Sequence, residues 1–363
     1  MIPQPIQTRL KILIGKGEFN IGKSLMPDLL SFTYDDKETN EADEISITLK
    51  DEKGKWAATW KPDGGEVIKA YIIRGSVLNA GKELYCGKFY VDSLRTSGSP
   101  RVVEMRAVSI PLDKPIRKRI KSRAWEKMTL KSIAEKIANE AGIKLLYDAA
   151  ENPTFDRQDQ SRESDLKFLS RLCEEAGLSL KVTDEKLVLF DQQAYEDKTP
   201  VKILTLGKSN ILSWDFESSQ SEKYKSCTIT YRDPKKKVKG EAGGYNMDLE
   251  KVKKEKVNNA VLTYTYTDPE ADENGQEFSI KKRAKSLEEA KRLCRAKLRQ
   301  LNLRSVTGSI TLIGDNELVA GVVVRCKGFG SFDGNFIVEQ ATHSVGTGGY
   351  TTALSLRRVN SNY

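Results

Sequence analysis

At both ends of this chain apolar and polar residues alternate one for one, and that period of two confines most of it to strands that bury a single face. Arg9–Ile14 alternates through Leu10, Ile12 and Ile14, and Glu44–Lys50 through Ile45, Ile47 and Leu49. Val67–Arg74, Leu84–Leu94 and Arg101–Ile110 follow, punctuated by the turn clusters Pro62–Gly65 and Ser97–Pro100. Residues 1–112 are therefore expected to form a small antiparallel barrel or sandwich. Val201–Leu206, Ile211–Glu217, Ser226–Tyr231 and the glycine-punctuated stretch Ser305–Arg358 read the same way.

Only three stretches change to the helical period. Thr129 is placed to cap a helix with apolar positions Leu130, Ile133, Ala134, Ile137 and Ala138, stopped by Gly142. Ser164 is placed to cap a second, with Phe168, Leu169, Leu172 and Cys173 on one side and Gly177 at its end, and the strands Leu178–Val182 and Lys186–Phe190 follow. The third begins with Ser286-x-x-Glu289, a capping box, and runs through Leu293, Cys294, Leu298 and Leu301. The expected fold class is α+β, mainly β, with two small barrels carrying α+β insert modules. The barrels are 1–112 and 199–232 plus 305–363; a two-helix module occupies 113–198 and a charged insert with one helix 233–304.

Composition excludes several classes. At 363 residues, 38% hydrophobic and 31% charged, the chain can build two or three cores. No apolar run approaches membrane-spanning length, and MIPQPIQTRL has no signal-peptide core, so cytoplasmic synthesis and assembly with no membrane partner is expected. Cys86, Cys173, Cys227, Cys294 and Cys326 are odd in number and never spaced C-x-x-C, which argues for reduced thiols rather than a disulfide framework or zinc site. The net charge of +9 raises nucleic acid as a partner. The dense basic segments, Lys114–Arg123 and Asp233–Lys239 with its continuation to residue 256, lack interleaved aromatics, so they read first as solvated loops, second as sites for an acidic protein and third as nucleic-acid contacts.

One motif points elsewhere. Gly17-Glu18-Phe19-Asn20-Ile21-Gly22-Lys23-Ser24 fits the phosphate-loop expression, which would make the chain a nucleotide hydrolase using Lys23 and Ser24 with Asp191 as metal partner. A phosphate loop needs a helix leading out, whose N–H groups face the phosphates. Pro27 and the acidic turn expected at Asp35 and Asp36 leave no room for one, so a chance match is the preferred reading. The single histidine, His343, excludes multi-histidine metal centres and reads as structural. Gly328, Gly330, Gly334, Gly346, Gly348 and Gly349 read as hairpin turns. No catalytic, cofactor or metal residue is assigned.

Two stretches resemble a known family. Ser161-Arg162-Glu163-Ser164-Asp165-Leu166-Lys167-Phe168-Leu169 through Glu174-Glu175-Ala176-Gly177-Leu178, then Lys186-Leu187-Val188, is similar to the signature of the phage late control protein D family. The closing stretch Gly321–Val338, with Thr342-His343-Ser344 and Gly349-Tyr350-Thr351-Thr352, resembles the end of that family's second barrel. Ala42–Ile45, Gly87–Asp92 and Ala124-Trp125 are weaker likenesses. The resemblance implies a non-enzymatic baseplate hub of a contractile tail, related to the hub part of type VI secretion spike proteins. It implies a homotrimer whose six barrels join a sixfold tube to a threefold spike, because two similar domains per chain turn threefold symmetry into quasi-sixfold contact. Partners implied are a separate spike polypeptide, the tail tube ring and other baseplate proteins facing the helical modules. No attached lysozyme domain is expected. The finished location is the tail baseplate of a virion or injection particle.

Overall fold

A computed structural model describes residues 7–15, 17–39, 42–58, 60, 62–75, 82–110, 116, 119–183, 186–219, 223–237, 259–268 and 275–359. The chain divides into two compact units, one comprising 1–173, 178–218 and 306–361, the other built on 219–305 with the short pieces 174–177 and 362–363.

The first unit opens with β1 (Gln7–Ile14), β2 (Phe19–Asn20), β3 (Leu29–Lys37), β4 (Glu44–Lys50), β5 (Val67–Gly75), β6 (Lys82–Ser97) and β7 (Val102–Val108). They pair in the order β2-β1-β5-β6-β7-β4-β3, antiparallel throughout. Alternation buries Leu10, Ile12, Ile45, Ile47, Leu49, Ile68 and Ile72 in one core, as the period of two requires. One expectation needs correction: Asp35 and Asp36 are not turn residues but lie inside β3, where Asp36 points into the protein. The polar side chains are tolerated there because other elements supply their partners, which local sequence does not reveal.

The helical module follows, with β8 (Ile120–Thr129), β9 (Lys144–Asp148), β10 (Thr154–Ser164), β11 (Ser179–Val182) and β12 (Lys186–Phe190) around the helices Leu130–Ala141 and Asp165–Ala176 and the short helix Gln192–Glu196. The Thr129 hydroxyl accepts from Ser132 N, and Gly142 closes the helix at φ 65°. Ser164 Oγ accepts from Lys167 N at 3.3 Å. The strands β8 and β10 pair with each other, while β9 joins β12 in parallel.

The second β region of this unit is β13 (Lys202–Thr205), β14 (Ile211–Ser218), β18 (Val306–Ile313), β19 (Val323–Lys327), β20 (Gly334–Gly346) and β21 (Gly349–Arg358), with the numbers 15–17 falling in the other unit. Its order is β14-β18-β21-β20-β19-β13. The five-residue link 206–210 reaches at most about 21 Å, whereas the outer strands of a flat six-stranded sheet stand about 24 Å apart. The sheet therefore curls, around a core of Leu204, Ile310, Val324, Phe336, Val338 and Leu356.

The long strand β20 unites the two regions. Gly334–Ile337 pairs with β19, and Gln340–Gly346 pairs with β3 from Lys37 to Ser31. Val345 and Tyr350 enter the core of the first region.

The second unit contains β15 (Tyr224–Lys237) between β16 (Asn259–Thr267) and β17 (Gln276–Ala284), covered by the helix Leu287–Asn302. Ser226–Tyr231, expected in the second barrel, pairs here instead, antiparallel to β16 and parallel to β17. The apolar stripe of the capped helix needs a sheet to cover, and β15 with Cys227 and Ile229 provides it. The basic continuation 238–256 lies outside the described residues.

Candidate assembly site

The phosphate-loop match is no phosphate site. Gly22–Leu25 forms one helical turn, and Met26–Asp28 a second, tighter one before β3 begins. Gly22 N is already bonded to Asn20 Oδ1 at 3.0 Å, and Ser24 N to the Ile21 carbonyl at 3.0 Å. The strand before the turn, β2, pairs antiparallel with β1, so the parallel strand-to-helix setting is missing. Gly22 is small for packing reasons: a Cβ there would sit 2.4 Å from the Leu10 carbonyl. Asp191 caps the Gln192–Glu196 helix by accepting from Gln193 N.

His343 is likewise structural. Its Nδ1 lies 2.8 Å from the Tyr350 hydroxyl and 3.3 Å from Thr352 Oγ1, and its ring stacks on Tyr34. Burial pushes its pKa down to about 4, which keeps the imidazole neutral at pH 7. Among the described residues no group of three or more His, Cys, Asp or Glu is arranged to hold a metal.

The basic segment 114–123 is not a free loop in its described part. Ile120–Arg123 is the start of β8, and its cations are consumed internally. Asp165, almost fully buried, takes Arg123 Nη2 at 2.9 Å, Lys121 Nζ at 2.6 Å and Gln160 Nε2 at 2.9 Å. Both cations also reach Glu140. Arg123 lies over the Trp125 ring, which stacks on Phe168. The Glu163-Ser164-Asp165 signature thus has a packing logic: Glu163 pairs with Arg171 at 3.0 Å, Ser164 caps the helix, and Asp165 ties that helix to β8.

Two further buried ionic clusters, neither visible in the sequence, hold the first unit together. Arg357, fully buried on β21, reaches Glu196 at 2.5 Å, Glu339 at 3.3 Å and Glu38 at 3.7 Å. Burial drives the Glu38 carboxyl upward against the pull of Arg357. In the second cluster Lys181 of β11 lies 3.0 Å from Asp36 and 3.5 Å from Asp43. Asp36 also accepts from Ala320 N at 2.9 Å, so one carboxylate joins β3, the helical module and the loop before β19. Burial raises Asp43 to about 6. Nearby, Asn316 donates to the Ile72 and Lys82 carbonyls at 3.1 and 2.7 Å and accepts from Tyr350. The two β regions are therefore fixed to each other by a backbone ladder, a charged knot and a side-chain bridge.

What this rigid pair exposes is an edge. Among the described residues β13 pairs only with β19 and β14 only with β18. Five of the thirteen large apolar side chains left exposed among the described residues fall on this short stretch: Val201, Ile203, Leu206, Leu212 and Trp214. Exposed apolar edges in a monomer invite further strand or surface contact.

Residues 91–349 match the model of one protein family, described as phage tail baseplate hub (GPD). The chain belongs to the phage tail baseplate hub (GPD) family. A probable baseplate hub protein of Escherichia phage 186 is 26% identical over 355 residues, covering 90% of this hub and 87% of the relative. The fold is shared with the 43 kDa tail protein of prophage MuSo2 from Shewanella oneidensis, at TM-score 0.69 and 14% identity, covering 98% and 99% of the two chains. It is shared too with the E. coli c3393 protein, a component of the type VI secretion system similar to the T4 tail proteins gp27 and gp5, at TM-score 0.55, 15% identity and coverage of 99% and 78%. This hub is a structural component of a tail baseplate and not an enzyme.

Proposed function

We propose that three copies of this hub close into a ring of six β domains that adapts a sixfold tail tube to a threefold spike. The reading rests on one observation above others. Each chain carries two β regions, one within residues 7–108 and the other formed by 202–218 together with 306–358, joined through the β20–β3 ladder. A rigid pair repeated three times presents six similar surfaces, and a head-to-tail contact that closes after three copies leaves no free edge. The apolar edge at β13 and β14 is the surface that such a neighbour would cover. The spike, in this reading, is a separate polypeptide, and the tube ring and other baseplate proteins complete the partners; assembly takes place in the host cytoplasm before incorporation into the particle.

The test is mass by light scattering, for the hub alone and mixed with the spike protein of the same particle. A three-chain mass in either state is expected. A persistent monomer indifferent to spike overturns the ring. Leu212→Lys, on an exposed side chain of β14, is expected to lower the three-chain fraction at least tenfold while leaving the unfolding midpoint unchanged.

A further inference from the structure

Five cysteines in an otherwise staple-free protein invite the reading that each is a small apolar core residue. Two of them are placed for more. Cys227 lies on β15, the central strand of the second unit, and Cys294 lies on the buried stripe of the helix that covers this sheet. Both are fully buried in the same core, beside Ile229, Ala290, Leu293 and Leu298. Their thiols share a hydrogen bond, and Cys294 Sγ also lies 4.0 Å from the Tyr264 carbonyl on β16.

We propose that Cys227 and Cys294 are a dithiol pair that closes to an intramolecular disulfide, pinning the Leu287–Asn302 helix to the central strand of its sheet. The oxidant is a low-molecular-weight disulfide. The Cys227 thiolate attacks one sulfur of that disulfide, forming a mixed disulfide and releasing one thiolate. Cys294 then attacks the Cys227 sulfur of the mixed disulfide and expels the second. Two protein thiols are oxidised, one external disulfide is reduced to two thiols, and the two protons from the cysteines pass to the two leaving sulfurs.

The asymmetry of the pair suits this order. The hydrogen bond from Cys294 holds the Cys227 thiol below its ordinary value, aided by Lys297, while Cys294 is raised in turn. Cys326, by contrast, is pushed up by burial to about 12, and burial also raises Cys86. Because both reacting thiols are buried, an external disulfide reaches them through openings of the small unit, so exchange is slow and accelerates under mild denaturant. The bridge closes the long loop from 227 to 294, which restricts the unfolded chain and stabilises this unit.

The intact hub is incubated with oxidised glutathione, with and without sub-denaturing urea, then unfolded in an alkylating agent and mapped by peptide mass. The expected product has three alkylated cysteines and one Cys227–Cys294 bridge. Its second-unit amides exchange with deuterium at least tenfold more slowly, and dithiothreitol reverses the change. Five alkylated cysteines after incubation in urea, or a bridge between any other pair, overturn the proposal. Cys294→Ala, which keeps the core apolar, is expected to arrest the reaction at glutathione attached to Cys227. A fully alkylatable Cys227 in this variant, alongside a bridged parent protein, would show that Cys294 attacks first and overturn the order proposed.

Discussion

Arg357 concentrates the energetics of the first unit in one side chain. Its guanidinium is completely enclosed and faces Glu38, Glu196 and Glu339. Removing one partner of a buried pair strands the other charges, so Arg357→Met is expected to cost about 3–5 kcal/mol, read as a lowered urea midpoint. Two other buried groups oppose each other in their pH response. Asp43, raised to about 6, binds its proton more tightly in the folded state, so its contribution is present in acid and lost as pH rises to about 6. His343, lowered to about 4, contributes stability that is lost as pH falls from 6.5 towards 4. Each is worth up to about 3 kcal/mol across that window. Compared with the parent protein, Asp43→Asn is expected to make stability rise more steeply with pH between 4 and 6.5, and His343→Gln to tilt it the other way. Denaturant titrations at closely spaced pH values check both signs; equal slopes in parent and variants would sink this assignment.

Among the elements, β20 decides the architecture, because it is shared by two β regions. Its end must approach β3 closely: a Cβ on Gly346 would lie 2.6 Å from the Leu30 carbonyl, whereas one on Gly348 would meet nothing within 4 Å. Gly346→Ala is therefore expected to cost about 1–3 kcal/mol through forced backbone displacement, and Gly348→Ala less than about 0.5 kcal/mol. Hydrogen exchange at Ser31 and Thr33 should accelerate in the first variant alone. The helices were the elements most legible in advance. Thr129, Ser164 and Ser286 cap the three helices they were expected to cap, since a cap is read from a few adjacent residues. The strands β8, β10, β16 and β17 were not anticipated. Their charged or threonine-rich faces mute the period of two, and they are held by partners distant in sequence.

For the molecule as a whole, the resemblance around Glu163–Gly177 pointed to the baseplate hub family, and the match over residues 91–349 bears that out. The strands β13 and β14, expected from sequence only as ordinary barrel strands, turn out to carry an exposed apolar edge. The strand-rich class, the capped helices and the family were legible along the chain, because each rests on local periodicity or on a short run of residues. It took the folded chain to make Asp36, Asp165 and Arg357 the knots of the first unit, to place Ser226–Tyr231 with the second, and to run one sheet through both β regions. Those outcomes depend on which strands and charges separated along the chain meet, and a local pattern carries no record of such partners.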